Sequence, residues 1–111
     1  MRVPDVELLW WEGCPSTDTA LSELRQALSE VGLEAIQVRM REISSDEDVR
    51  QAGFSGSPTV LVDGADVAPH PAEPAGLTCR VYRRRDGSIS PTPDPMDVRD
   101  ALRRAMAAGA A

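Results

Sequence analysis

Trp10-Trp11-Glu12-Gly13-Cys14-Pro15-Ser16-Thr17 is the stretch in which an apolar run stops at a glycine and a cysteine-proline pair opens an amphipathic segment. Upstream, Val6 to Trp11 is nearly continuous in apolar residues, the pattern of a short strand buried on both faces, with Pro4 at its entrance. Downstream, Pro15 suits a first helical position, and Ala20, Leu21, Leu24, Ala27, Leu28 and Val31 recur at helical spacing up to Gly32. Cys14 therefore sits at a strand-to-helix junction. Unpaired N–H groups and the positive end of the helix dipole favour a thiolate there, whereas the neighbouring Glu12 works against one. The bland alternative for Cys14 is a small apolar residue filling a tight turn.

Working outward, Leu33 to Ile43 alternates, with Ile36, Val38 and Met40 on one face, and predicts a second strand parallel to the first. Ser44-Ser45-Asp46-Glu47 reads as a capping box, Ser44 with Glu47, for a short helix over Ser45 to Ala52 that stops at Gly53. Ser57-Pro58 leads into Thr59-Val60-Leu61-Val62, a third strand closed by Asp63-Gly64. Ala65 to Gly76 holds three prolines and reads as a long loop. Leu77, Cys79 and Val81 alternate with polar residues, which predicts a fourth strand with Cys79 on its apolar face. Asp94-Pro95 caps a last helix carrying Val98, Ala101, Leu102, Ala105 and Met106.

A length of 111 residues fits one domain, 1–111. The net charge of −6 argues against a nucleic-acid or anionic-membrane binder, since either surface would repel the chain. No apolar run approaches the roughly 20 residues needed to span a bilayer and no secretory leader is evident, so the expectation is a cytoplasmic protein. In that compartment Cys14 and Cys79 are expected to serve redox, metal or packing roles rather than a permanent disulfide. Cys14, Cys79 and His70 lack short ligand spacing, so a structural zinc site is not expected, and His70 reads as a loop histidine.

The order strand, helix, strand, helix, strand, strand, helix, with a cysteine after the first strand and Ser57-Pro58 before the third, resembles the thioredoxin-like superfamily over nearly the whole chain. The Trp-Glu-Gly-Cys-Pro opening and the Gly-Ser-Pro-Thr lead-in are similar to small thioredoxin-family or alkylmercury-lyase-like proteins. The resemblance implies an α/β fold, a thioredoxin-like three-layer sandwich with a central mixed four-stranded sheet and flanking helices. It puts Cys14 in the place of the nucleophilic cysteine of a Cys-x-x-Cys motif and Pro58 in the place of the cis-proline beside it. The backbone of Ser57 and Thr59 would then face the thiol and hold a peptide or thiol partner in a strand-like pose.

Thr17 stands where that motif has its second cysteine, so Cys14-Pro15-Ser16-Thr17 cannot close a disulfide on itself. The expectation is a monothiol thiol–disulfide oxidoreductase, with Cys14 exchanging with a low-molecular-weight thiol or a partner protein and Thr17 donating a hydrogen bond to the thiolate. Cys79 is either core or a distant resolving thiol. Of Trp10 and Trp11, at least one is expected in the core, and Trp11, with Pro15, is the candidate for an apolar rim that meets a partner. Arg80, Arg83, Arg84 and Arg85 form either a solvated face or a grip for the carboxylates of a glutathione-like thiol. No cofactor is implied. The rival readings are a non-catalytic binding module using the groove between Cys14 and Pro58, and a binder of soft metals or organomercurials using Cys14 with Cys79.

Overall fold

The apolar run before Cys14 forms an interior strand of a four-stranded sheet in a computed structural model that describes residues 3–69 and 76–109. β1 (Val6–Trp10) runs parallel to β2 (Arg39–Glu42) and antiparallel to β3 (Thr59–Val62). β3 in turn pairs antiparallel with β4 (Ala65–Asp66), and the order is β2-β1-β3-β4. A parallel pair needs a crossover, which α1 (Thr17–Glu30) supplies. α2 (Asp46–Ala52) leads from β2 to β3, a two-stranded hairpin of β5 (Tyr82–Arg83) and β6 (Ile89–Ser90) follows, and α3 (Pro95–Gly109) ends the chain.

The period of two along β1 divides the core between two faces. Val6 and Leu8, with Val60 and Val62, pack against Leu24 and Leu28 of α1 and against Val98 and Leu102 of α3. Leu9 joins Ile43, Val49 and Phe54, with Trp11, Leu61 and Leu77 against them. The near-continuous apolar run is thus explained, because both faces of β1 are covered. The mixed α/β class with a four-stranded mixed sheet is as expected.

Several boundaries differ from expectation for identifiable reasons. α1 starts at Thr17 with Ser16 as its N-cap, so Pro15 lies in the preceding turn and not at the first helical position. Its other end is a Schellman motif, with Gly32 N–H on the Ser29 carbonyl (3.1 Å) and Leu33 N–H on the Leu28 carbonyl (2.8 Å). The cap of α2 is Ser45, one residue later than expected: its hydroxyl accepts the Asp48 N–H at 3.1 Å, and the Asp48 carboxylate accepts the Ser44 N–H and hydroxyl. Glu47 instead bonds Arg50 and Gln51.

β2 is shorter than the predicted strand, and its residues are all exposed, as a charged edge strand is. Ile36 and Val38 reach the core without strand pairing, while Met40 turns outward. Ala65 and Asp66, expected in a loop, form β4. Asp63 and Gly64 have φ of 51° and 81°, the geometry of a tight two-residue hairpin turn. His70 and half of the expected proline-rich loop, residues 70–75, lie outside the described residues.

The largest departure is around Cys79. The fourth strand reduces to a single parallel bridge, Ser57 with Cys79, followed by β5. Cys79 is exposed and Val81 is 55% exposed, whereas Arg80 and Tyr82 are buried. A register shift of one residue exchanges the two faces, and here the polar set goes inward because it finds partners there.

Candidate functional site

A tight turn sets Cys14: its N–H donates to the Trp11 carbonyl at 3.0 Å. Gly13 makes that turn possible, since a β-carbon there would stand 2.4 Å from Cη2 of the Trp11 ring. Trp11 in turn donates its N–H to the Ser57 hydroxyl (3.1 Å), and the Cys14 thiol donates to the Ser57 carbonyl (3.3 Å). Ser57 is fully buried, Cys14 is 7% exposed, and the Ser57–Pro58 peptide bond is cis. Thus Cys14, Ser57 and Pro58 come together as the motif suggested.

The backbone of Ser57, however, is already occupied. Its N–H donates to the Thr78 carbonyl and its carbonyl accepts the Arg80 N–H, each at 2.8 Å. Thr59 is taken as well, by pairing with Leu9 of β1. The expected open, strand-like pose for a partner at Ser57 and Thr59 is therefore filled by the chain's own Thr78-Cys79-Arg80.

Arg80 anchors that segment. Its guanidinium meets the Asp66 carboxylate at 2.6 Å, the Thr59 hydroxyl at 3.2 Å and the Ala68 carbonyl, and lies 4.4 Å from the centre of the Tyr82 ring. Tyr82 donates its hydroxyl to the Pro58 carbonyl, and Thr59 donates its own to Gly56. A β-carbon on Gly56, where φ is 134°, would stand 2.9 Å from Arg80 Cβ and 3.1 Å from its Cα. Only glycine lets the two segments approach this closely.

The bridge brings Cys79 to the backbone of Ser57, whose carbonyl accepts the Cys14 thiol, and Cys14 acts on the ionisation of Cys79. Partial desolvation pushes the Cys79 thiol above its ordinary value, and the hydrogen bond to Cys14 and the charge of that neighbour push it further. Both cysteines are free thiols. Cys79 is accordingly not a core residue.

Thr17 does not play its expected part, because its hydroxyl is buried without a hydrogen-bond partner. Nor does Trp11 form the rim: it covers Gly13 and packs on the cluster of Leu9 and Phe54. Trp10 lines the cleft instead, with Cys14, Pro15, Thr17 and Met40, in a volume of about 350 Å³ whose charges are the carboxylates of Glu12 and Asp18. Trp10, Met40 and Tyr82 are the residues that sequence reasoning missed, and Arg80 was read there as part of a charged run. The signal for Arg80 and Tyr82 was present, since the two alternate as regularly as Leu77, Cys79 and Val81.

The arginine run is committed elsewhere. Arg84 bonds Glu23 (3.3 Å) and Thr92 (2.8 Å), tying the β5–β6 hairpin to α1, and Arg85 bonds Asp97 (2.7 Å) and Asp100 (2.8 Å) on α3. Arg83 borders a separate cleft with Val81 and Asp97. None of these side chains lines the Cys14 cleft. Among the described residues, no group of three or more His, Cys, Asp or Glu side chains converges as a metal site. No helix among them is long and apolar enough to cross a membrane. In comparisons with known proteins, no protein-family model, no curated protein and no solved structure matches the chain.

Proposed function

We propose that the chain is a thioredoxin-like protein, a three-layer sandwich, in which Cys14 performs thiol–disulfide exchange and Cys79 acts as the resolving thiol. The observation that carries this reading is the meeting of the two thiols at Ser57, through the Cys14 hydrogen bond and the Cys79 bridge. In the first step the Cys14 thiolate attacks one sulfur of a disulfide R–S–S–R′. A Cys14–S–S–R bond forms and R′S⁻ leaves with the electron pair.

The charge on Cys14 disappears in that step, and with it one of the influences that hold Cys79 protonated. Cys79 then loses its proton to solvent and attacks the Cys14 sulfur. RS⁻ departs and a Cys14–Cys79 disulfide remains, so two protein thiols are oxidised while one disulfide is reduced.

Mass spectrometry after addition of a small disulfide tests the order. Cys79→Ser should accumulate a mixed disulfide on Cys14, and the wild-type chain should pass to a species lighter by two hydrogens. Modification of Cys79 in Cys14→Ser as fast as that of Cys14 in Cys79→Ser would overturn the assignment. The same thiol pair, with Glu12 and Asp18 nearby, supports a second reading as a two-coordinate site for a soft cation.

A further inference from the structure

Among the described residues, the exchange site has two approaches, and only one is open. Docking of an extended polypeptide by strand addition needs a free backbone N–H and C=O on the receiving strand. At Ser57 the single N–H is spent on Thr78, and the two acceptor positions of its carbonyl are spent on Arg80 and the Cys14 thiol. Removing Thr78-Cys79-Arg80 from this position would mean withdrawing the Arg80 guanidinium from Asp66, Thr59 and Ala68. The open approach is the cleft of about 350 Å³ beside Trp10 and Met40, a size suited to a small molecule. Its charged lining is acidic, and Arg80, Arg84 and Arg85 are held by Asp66, Glu23, Asp97 and Asp100.

We infer that Thr78-Cys79-Arg80 is a built-in occupant of the strand-addition position at Ser57, making Cys14 selective for small neutral or cationic disulfides over polypeptide and anionic ones. The inference rests on the exchange reading above and adds its substrate class. Arg80 is a positioning residue in it, acting through the backbone of Ser57 and not on the reacting sulfurs. Cys79 is thereby presented to Cys14 in the pose that a bound peptide's cysteine would take, so the same segment excludes peptides and resolves the mixed disulfide.

The test compares three oxidants with the reduced full chain: cystamine, a small dication; glutathione disulfide, a small anion; and insulin. Each rate is divided by that of the same oxidant with free 2-mercaptoethanol. Cystamine should lead glutathione disulfide by tenfold or more at low salt, the gap should narrow as salt is added, and insulin should be reduced no faster than by the free thiol. Arg80→Ala, and Arg80→Lys if the first does not fold, should raise the insulin rate relative to cystamine severalfold.

Amide hydrogen exchange gives a readout independent of any disulfide. Ser57 and Arg80 N–H should be protected in the wild-type chain and at least tenfold less so in the Arg80 variant. Unprotected amides in the folded wild-type chain, or insulin reduced as readily as cystamine, would overturn the inference. Protected amides with no exchange on any oxidant would overturn the exchange reading itself, and the selectivity with it.

Discussion

Cys14 and Arg80 share one acceptor: the Ser57 carbonyl oxygen receives the Cys14 thiol at 3.3 Å and the Arg80 backbone N–H at 2.8 Å. The two donors arrive from opposite ends of the sequence, one from the turn before α1 and the other from the segment before β5. Whatever holds Arg80 also sets the position of Cys79 against Cys14.

Ionisation of Cys79 reports this coupling. Its thiol is pushed above 9.0 by partial desolvation, by the hydrogen bond to Cys14 and by the charge of Cys14. Alkylation of Cys79 with iodoacetamide, followed by peptide mass across pH, should show a midpoint above that of an ordinary free thiol in the wild-type chain. In Cys14→Ala the last two influences vanish and the midpoint should fall, leaving only the desolvation contribution. Because the folded value is the raised one, this group adds stability below its unfolded value and loses it as pH rises through the folded value.

The Arg80–Asp66 pair should be expensive to break on one side. The Arg80 side chain is 1% exposed and that of Asp66 23%, so Asp66→Ala takes a charged partner from a buried guanidinium. Urea denaturation should show a loss of about 3 kcal/mol for the single change, in the range for a buried pair deprived of one partner. Replacing both, as in Asp66→Leu with Arg80→Met, should cost less than Asp66→Ala alone, since the buried guanidinium goes with its partner.

Much of the fold was legible because long periodic segments dominate it: β1, α1, β3 and α3 follow directly from apolar spacing and from Gly32 and Asp94 at the helix ends. The pairing of Cys14 with Ser57-Pro58 was legible as two short motifs that make sense only together. The face of Cys79 was not. Over six residues, Leu77-Cys79-Val81 and Arg80-Tyr82 offer the same alternation, and hydropathy favours the wrong one. What decides the register is a set of acceptors on Asp66, Thr59 and Ala68, which no local window contains. Trp10 and Trp11 exchanged roles for a related reason: only the turn geometry at Gly13 reveals which ring covers it.

Gly13→Ala tests that turn. The added methyl would sit 2.4 Å from the Trp11 ring, which must swing off the Leu9 and Phe54 cluster or distort the turn that presents Cys14. A loss of about 1–3 kcal/mol is expected from such overpacking. It should be visible in the denaturation midpoint and as a changed near-ultraviolet circular dichroism of the tryptophans. The reaction of Cys14 with a small disulfide should slow as well, because its N–H bond to Trp11 belongs to the same turn.

Asp94 joins the start of α3 to the β5–β6 hairpin, accepting the Arg85 N–H at 3.0 Å and the Met96 N–H at 2.9 Å. Those two backbone bonds, led by Arg85, hold its carboxyl below the ordinary 3.8. The sign follows from the lowered folded value: the stabilisation is complete above the unfolded value near 3.8 and disappears as pH falls through the folded one. Asp94→Ala should cost about 1 kcal/mol at neutral pH, as the loss of a helix cap does. Asp94→Asn separates the two roles, because its single amide oxygen can still accept the Met96 N–H and cap the helix, while the second acceptor oxygen and the titrating charge are gone. Stability measured by denaturation from pH 7 to 2 should therefore lie below wild type at the neutral end in Asp94→Asn and approach it on the acid side. Its decline on the acid side should be shallower than that of the wild-type chain, and an acid limb as steep as wild type would show that Asp94 carries none of it.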